Sequence, residues 1–326
     1  MQARHLVAIL FIMALFGSAY PVGKLGVGHF PPFEFAALRS TVLTLALLPL
    51  WRFAHPQKGQ GWALVGFCAS MGVGVYATMY TALGMADTVS PIVIGTQLSI
   101  PFAVVLGRLV LGERVRPLTW GAIVAAFAGV LLIAFEPALA RDLPALGVIA
   151  ASAFCYATAT LFARSLRSVS PFVMNGWMAA SAILPLALLS VVFETGQWQA
   201  IRSAGPVAWG VVLHSALAVS LLAHVGMFSL YRHYPVAHVI PYYVLMPVFG
   251  VAFTLLLFEE VPSTRTLFGG AIVILATWVV NRSTAGSGRK PRVGAQPATE
   301  VPEPPPGPTT TPPPETEPPR TESRAP

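Results

Sequence analysis

Leu98-Ser-Ile-Pro101-Phe leads through an apolar stretch to Gly112-Glu113-Arg114-Val115 and then to Gly121-Ala-Ile-Val124. Val244-Leu-Met-Pro247-Val-Phe249 leads in the same way to Glu259-Glu260-Val261 and then to Gly270-Ala-Ile-Val273. The interval from Pro101 to Glu113 equals that from Pro247 to Glu259, whereas the two Gly-Ala-Ile-Val runs are offset further, which places a three-residue insertion in the second loop. An apolar chain that states one plan twice carries the usual sequence mark of a transporter built from two halves.

Composition leads to the membrane independently. Of the 326 residues, 55% are hydrophobic and only 10% charged, and mean hydropathy is +0.68; an ordinary soluble domain carries about 25% charged residues. A bilayer-spanning helix needs about 20 mostly apolar residues. Ten such stretches are expected: His5 to Val27, Phe33 to Phe53, Gly61 to Gly84, Thr88 to Leu111, Leu118 to Phe135, Pro144 to Leu166, Pro171 to Phe193, Pro206 to Tyr231, Val236 to Phe258, and Thr264 to Asn281. The predicted fold is therefore an all-α membrane protein in two five-helix repeats, 5–136 and 144–282.

Proline punctuates these stretches. Pro32, Pro171 and Pro206 are expected at first turns, where a missing N–H costs no helical bond. Pro101, Pro185, Pro241 and Pro247 lie deeper, where each frees a carbonyl that a neighbour or trapped water must satisfy, so kinks are expected.

Basic residues set the predicted orientation, because cytoplasmic loops retain Lys and Arg. An N-terminus inside assigns to the cytoplasm Arg4, Arg52, Lys58, Arg108, Arg114, Arg116, Arg164, Arg167, Arg232 and Arg282. The other side receives Arg141, Arg202, Arg265, Lys24 and Arg39. Both termini are thus placed in the cytoplasm of a multi-pass plasma-membrane protein. Five helices per half then force the second half to enter upside down, an inverted repeat. The net charge of +7 reflects this topology, and no nucleic-acid partner is implied.

The first stretch follows Arg4 and carries Gly17, Ser18 and Ala19, features shared with signal peptides, yet its length and its place as the first of ten favour an uncleaved helix. Residues 283–326, with Glu303-Pro-Pro-Pro-Gly-Pro and Thr311-Pro-Pro-Pro, read as a disordered, extended cytoplasmic tail with nothing apolar to bury. Cys68 and Cys155 have no ligand neighbours at short spacing and read as small hydrophobes. No metal or other cofactor is expected. The partners expected are a small-molecule substrate and the lipid bilayer.

Phe16-Gly-Ser-Ala-Tyr-Pro-Val-Gly-Lys24-Leu-Gly, Phe30-Pro-Pro-Phe-Glu-Phe-Ala-Ala-Leu-Arg39 and Leu111-Gly-Glu-Arg114-Val resemble the first half of the drug/metabolite transporter superfamily, EamA family. Pro247 through Val280 resembles the corresponding segment of its second repeat. The resemblance covers about residues 5 to 282. It implies a ten-helix bundle with a central cavity between the repeats, opened alternately to either side, and export of a small amino-acid-like metabolite of the cysteine and O-acetylserine class. Other metabolites and drugs travel on the same scaffold. One departure is Phe258-Glu259-Glu260, where the family commonly shows Gly-Glu-Arg. Glu113 and Glu259, with Pro101 and Pro247, are read as structural, fixing helix ends and turns.

Polar side chains inside a bilayer outline a pathway, because they are costly unless they face water or a bundle interior. Lys24 and Arg39 read either as pathway cations that would attract a carboxylate or as snorkelling groups paired with Glu34; the matching basic positions of the family favour the pathway. Gln97, four residues before Pro101, cannot snorkel, so its amide needs a partner from a cavity or a neighbouring helix; the resemblance aligns it with a family glutamine. His214 and His224 share one helix but are rotated too far apart to hold one metal ion. His224 reads either as a cavity hydrogen-bonding group or proton carrier, or as a packed neutral ring. Tyr76, Tyr80, Tyr156, Trp177 and Tyr243 suit a pocket for amphipathic molecules, or simple packing. Glu34, Asp87, Glu113, Glu136, Asp142, Glu194, Glu259 and Glu260 all fall at helix ends or loops, leaving no mid-membrane carboxylate. An intramembrane enzyme is disfavoured, since no His-Glu-x-x-His motif, paired deep aspartates or serine-histidine arrangement occurs.

Overall fold

A computed structural model describes residues 3–49, 59–166, 169–234 and 239–285. The Pro-rich tail beyond Ala285 lies outside the described residues, as do Arg52, Lys58, Arg167 and His238. The main helices are α1 (Ala3–His29), α2 (Pro32–Leu47), α3 (Gly61–Met85), α4 (Ser90–Leu111), α5 (Pro117–Ala134), α6 (Leu143–Ser165), α7 (Pro171–Phe193), α8 (206–233), α9 (Leu245–Phe258) and α10 (Thr264–Ala285). A short helix, Gln197–Ser203, joins α7 to α8. No strand occurs among the described residues.

Eight of these segments are long and apolar enough to cross a membrane. The expected ten are thus met in part: α2 and α9 are shorter, and residues 50–58 and 235–238, which adjoin them in sequence, are outside the described set. Apolar side chains cover the outside of the bundle, with Leu109, Val191 and Leu256 each about three-quarters exposed. Such a surface suits hydrocarbon, since helices satisfy their own backbone groups and only their side chains meet lipid. The chain is a multi-pass membrane protein.

Proline opens α2, α5, α7 and α8, where its missing N–H is one of the four that a helix leaves unpaired. Pro185 sits inside α7 without interrupting it. Pro101 and Pro247 act differently. Each is the third residue of a resumed α-helix that follows a 3₁₀ turn, Thr96–Leu98 in α4 and Ile240–Val244 before α9. A proline cannot bond the carbonyl four residues earlier, so the Gln97 carbonyl takes its donor from Ser99 N–H and the Tyr243 carbonyl from Leu245 N–H, in tighter turns.

A second irregularity also recurs. π-helical turns span Cys68–Val75 in α3 and His214–Ala223 in α8. Their starts are separated by the same interval as Pro101 and Pro247.

Packing pairs α2 with α7, α5 with α10, α1 with α9, and α4 with α6. Glycines permit the closest approaches. A Cβ on Gly17 of α1 would lie 2.7 Å from the Met246 carbonyl oxygen and 2.8 Å from the Gly250 nitrogen of α9. At the α5–α10 crossing, a Cβ on Gly269 would lie 2.6 Å from the Gly129 carbonyl oxygen. Small residues let membrane helices approach until dispersion between backbones holds them, which matters where lipid offers no hydrophobic drive.

Carboxylates cap helix starts at one end of the bundle. Glu194 accepts from Phe33 N–H at 2.7 Å and Glu34 N–H at 3.2 Å, and Glu260 accepts from Val89 at 2.7 Å and Ser90 at 2.9 Å. Asp142 accepts from Asp87 N–H at 2.6 Å and Thr88 N–H at 3.2 Å, and Glu136 takes the Ser263 hydroxyl before α10. First-turn N–H groups need acceptors, and the helix dipole favours a negative charge there. Glu113 lies at the opposite end and pairs with Arg164 at 2.6 Å.

The two repeat loops differ by one residue from the spacing of their acids. α4 ends at Leu111 with Gly112 left-handed, and α9 ends at Phe258 with Glu259 left-handed. Glu260, rather than Glu259, therefore stands where Glu113 stands in the first half. The resumed helix of α9 is one residue longer, so counting from proline to acid misaligns the turns.

Candidate functional site: a central cavity

Eight helices, α1 to α4, α6 and α8 to α10, surround a cavity of about 380 Å³. Among the residues singled out from sequence, Arg39, Tyr76, Tyr80, Gln97, Tyr156, His224 and Tyr243 line it. Lys24 and Trp177 do not line it. Lys24 Nζ donates instead to the carbonyls of Leu83 at 2.9 Å and Ala86 at 2.5 Å, closing the last turn of α3, as cations do at helix C-termini. Neither Lys24 nor Arg39 pairs with Glu34, whose two carboxylate oxygens are buried without a hydrogen-bond partner.

Arg39 is the electrostatic centre of the site. It is 1% exposed, and its Nη2 donates to the Ser220 hydroxyl of α8. Its guanidinium carbon lies 3.7 Å from the centroid of the Tyr76 ring, a cation–π geometry that gains strength out of water. Nε and Nη1 meet no acceptor. Among the described residues no carboxylate stands within ion-pair distance of it. The second half does not repeat this charge. Arg39 follows the opening Pro32 of α2 by seven residues, and Met178 follows Pro171 of α7 by the same interval.

The π turn of α8 builds the partner surface. The Ser220 hydroxyl donates to the Ser215 carbonyl at 3.0 Å, five residues back, while accepting from Arg39. His224 Nδ1 lies 3.2 Å from the Val219 carbonyl, which can only accept, so Nδ1 carries a proton and donates. Phe16 packs edge-on against that ring at 5.1 Å between centroids. His214 is turned away, with Nε2 3.2 Å from Ser18 Oγ of α1. The two histidines do not converge, and among the described residues no group of three metal-ligating side chains occurs.

The proline breaks place the remaining polar groups. Gln97 is 4% exposed and lies on the 3₁₀ turn of α4, and Tyr243 lies on the 3₁₀ turn before α9. Each is four residues before its proline, and both line the cavity. Irregular backbone is tolerated at membrane depth where it borders a cavity. Tyr20, Thr96, Ser215 and Ser220 also line the cavity and were not expected from sequence. Small hydroxyls give a weak signal because they bond their own helix, as Thr96 does with the Val93 carbonyl at 2.7 Å.

The sequence profile of the EamA-like transporter family matches residues 4–135 and again 143–282. The chain belongs to the EamA-like transporter family. Membership makes it a transporter and not an enzyme. It is 26% identical over 282 residues to a protein of Salmonella typhimurium named "Probable amino-acid metabolite efflux pump", covering 83% of this chain and 92% of that one. A protein of Escherichia coli with the same name is 26% identical over 292 residues, covering 86% and 95%. A riboflavin transporter of Rhizobium johnstonii is 29% identical over 201 residues, covering 59% and 61%. A solved crystal structure superposes with a TM-score of 0.58 at 20% identity, covering 83% of this chain and 96% of that chain; at that identity it bears on the fold.

Proposed function

We propose that this chain is a secondary transporter of ten membrane helices in two inverted five-helix repeats, exporting a small amino-acid-like metabolite by alternating access. The observation that carries the reading is the cavity itself, enclosed by helices of both halves and bordered by both proline-broken turns. Discontinuous helices meeting at a repeat interface are the usual binding-site construction of such carriers. The pairing of α2 with α7, α5 with α10, and α1 with α9 beside α6 with α4 supports a two-fold relation, because it maps onto itself when the halves are exchanged, and five helices per half support its inversion. The bias of basic residues supports cytoplasmic termini in a bacterial-type inner membrane.

The names of the two efflux pumps support export of an amino-acid metabolite, and the cysteine and O-acetylserine class is what the family resemblance implies. Export of another small metabolite or drug on the same fold is the second reading, favoured by the riboflavin transporter among the relatives. Lys24 of α1, which donates to the last turn of α3, serves the pathway through helix position rather than substrate contact. A metabolite-toxicity screen on cells overproducing the protein, beginning with cysteine and O-acetylserine, tests the class. Counterflow in proteoliposomes tests the mechanism: saturable exchange is expected, and flux that rises without saturation overturns it.

A further inference from the structure

We infer that the cavity recognises the carboxylate of an organic anion through Arg39 and selects against the same molecule carrying a free ammonium. The inference rests on the transporter reading alone and departs from the cysteine and O-acetylserine class, whose members carry a free ammonium. Arg39 is 1% exposed, lines the cavity, and leaves Nε and Nη1 without acceptors. A buried cation with two idle donors is costly unless an anion completes it. The guanidinium fork matches a carboxylate, giving two parallel charge-assisted bonds.

The rest of the wall defines the other end of the ligand. Tyr76 lies over the guanidinium at 3.7 Å and stacks on Tyr80 at 6.2 Å. The Tyr76 ring covers the face of the guanidinium and leaves its edge for a carboxylate, and with Tyr80 it offers an apolar surface to the rest of the ligand. Ser220 takes one N–H of Nη2; the second N–H of Nη2 together with the idle neighbour on its side, Nε or Nη1, forms the parallel pair that meets a carboxylate.

The cavity wall includes no aspartate or glutamate among the described residues. The acids described above lie at the helix ends, four of them as caps. An amino acid bound at Arg39 would bring its ammonium into the same low-dielectric space, leaving two cations to share one anion. Hydroxyls and the Gln97 amide can accept a hydrogen bond, but they cannot neutralise that charge. An acylated or deaminated acid carries no such penalty.

The test uses the full chain in nanodiscs and four probes that share one side chain: 3-phenylpropanoate, N-acetyl-L-phenylalanine, L-phenylalanine and L-phenylalaninamide. Both acids without an ammonium are expected to bind about tenfold or more tightly than phenylalanine, with the amide weakest, the size of step that one charged hydrogen-bonded group makes. Arg39→Lys, which keeps the charge and loses the fork, is expected to weaken both acids by about tenfold. The wild-type series decides even if that variant fails to fold. Equal binding of acid and amide, or of acid and zwitterion, overturns the inference, as does failure of both acids to bind. Counterflow on the same preparation separates the two claims. Saturable flux of another solute with no acid binding removes the inference and keeps the transporter, whereas acid binding without carrier-mediated flux keeps the Arg39 assignment and removes the transport reading.

Discussion

Gly112 and Glu259 occupy the same place in the two halves of the chain, each as the left-handed residue that ends a proline-broken helix, with φ of 66° and 54°. Glu259 is the one non-glycine residue at positive φ among the described residues. A side chain there crowds the following carbonyl, at a cost of about 1–2 kcal/mol that glycine avoids.

Glu259→Gly is therefore expected to stabilise the protein by about 1 kcal/mol, offset in part by the greater freedom of glycine in the unfolded chain. Gly112→Ala is expected to destabilise it by about 1 kcal/mol. Thermal unfolding in detergent measures both, and a lower midpoint for Glu259→Gly would refute the account.

Gly17→Ala is expected to cost about 1–3 kcal/mol through overpacking, because the new methyl would meet backbone atoms of α9 that cannot swing aside. Gly28→Ala has open space around it and serves as the control. A melting point unchanged in both variants would show that α1 and α9 separate easily.

Glu260→Gln keeps the shape of the cap on Val89 and Ser90 but removes its charge, and a loss of about 1 kcal/mol is expected. Glu260→Ala should cost more. Equal melting points for Glu260→Ala and wild type would dissociate the carboxylate from helix stability.

Lys24→Met is expected to lower abundance in the membrane, because it orphans the Leu83 and Ala86 carbonyls at a cost of about 1–3 kcal/mol. In the protein that remains, the substrate concentration for half-maximal transport should be unchanged. A shifted half-saturation with full abundance would return Lys24 to the substrate path.

Gln97→Ala and His224→Ala are expected to lower transport about tenfold while leaving membrane abundance unchanged. Both side chains line the cavity, and the hydrogen bond of His224 goes to its own helix. Normal uptake or export by both variants, measured in vesicles, would remove them from the pathway.

The membrane helices were legible in the chain because hydrocarbon imposes a length and a composition that a linear scan detects. The bounds expected for α5, α7 and α10 agree closely with those observed. The duplication was legible too, since Pro101 and Pro247 punish any departure from their local geometry. The true register of the second turn was not, because an extra residue in α9 leaves the motif recognisable while moving Glu260 into the place of Glu113.

The sequence by itself determined that Arg39 is a charge in a membrane helix that must snorkel or face a pathway, that Gln97 precedes a helix break, and that the acids sit at helix ends. Those are properties of position along one helix. Only the tertiary structure decided that Arg39 faces Ser220 and Tyr76 from other helices, whereas Lys24 closes a helix end. The reason is angular. Which side of a membrane helix faces the interior depends on small rotations, and here π turns in α3 and α8 reset that rotation midway. A π turn adds one residue to a helical loop, which local composition barely signals. The hydroxyls it carries, Ser215 and Ser220, look in sequence like any serine bonded to its own helix.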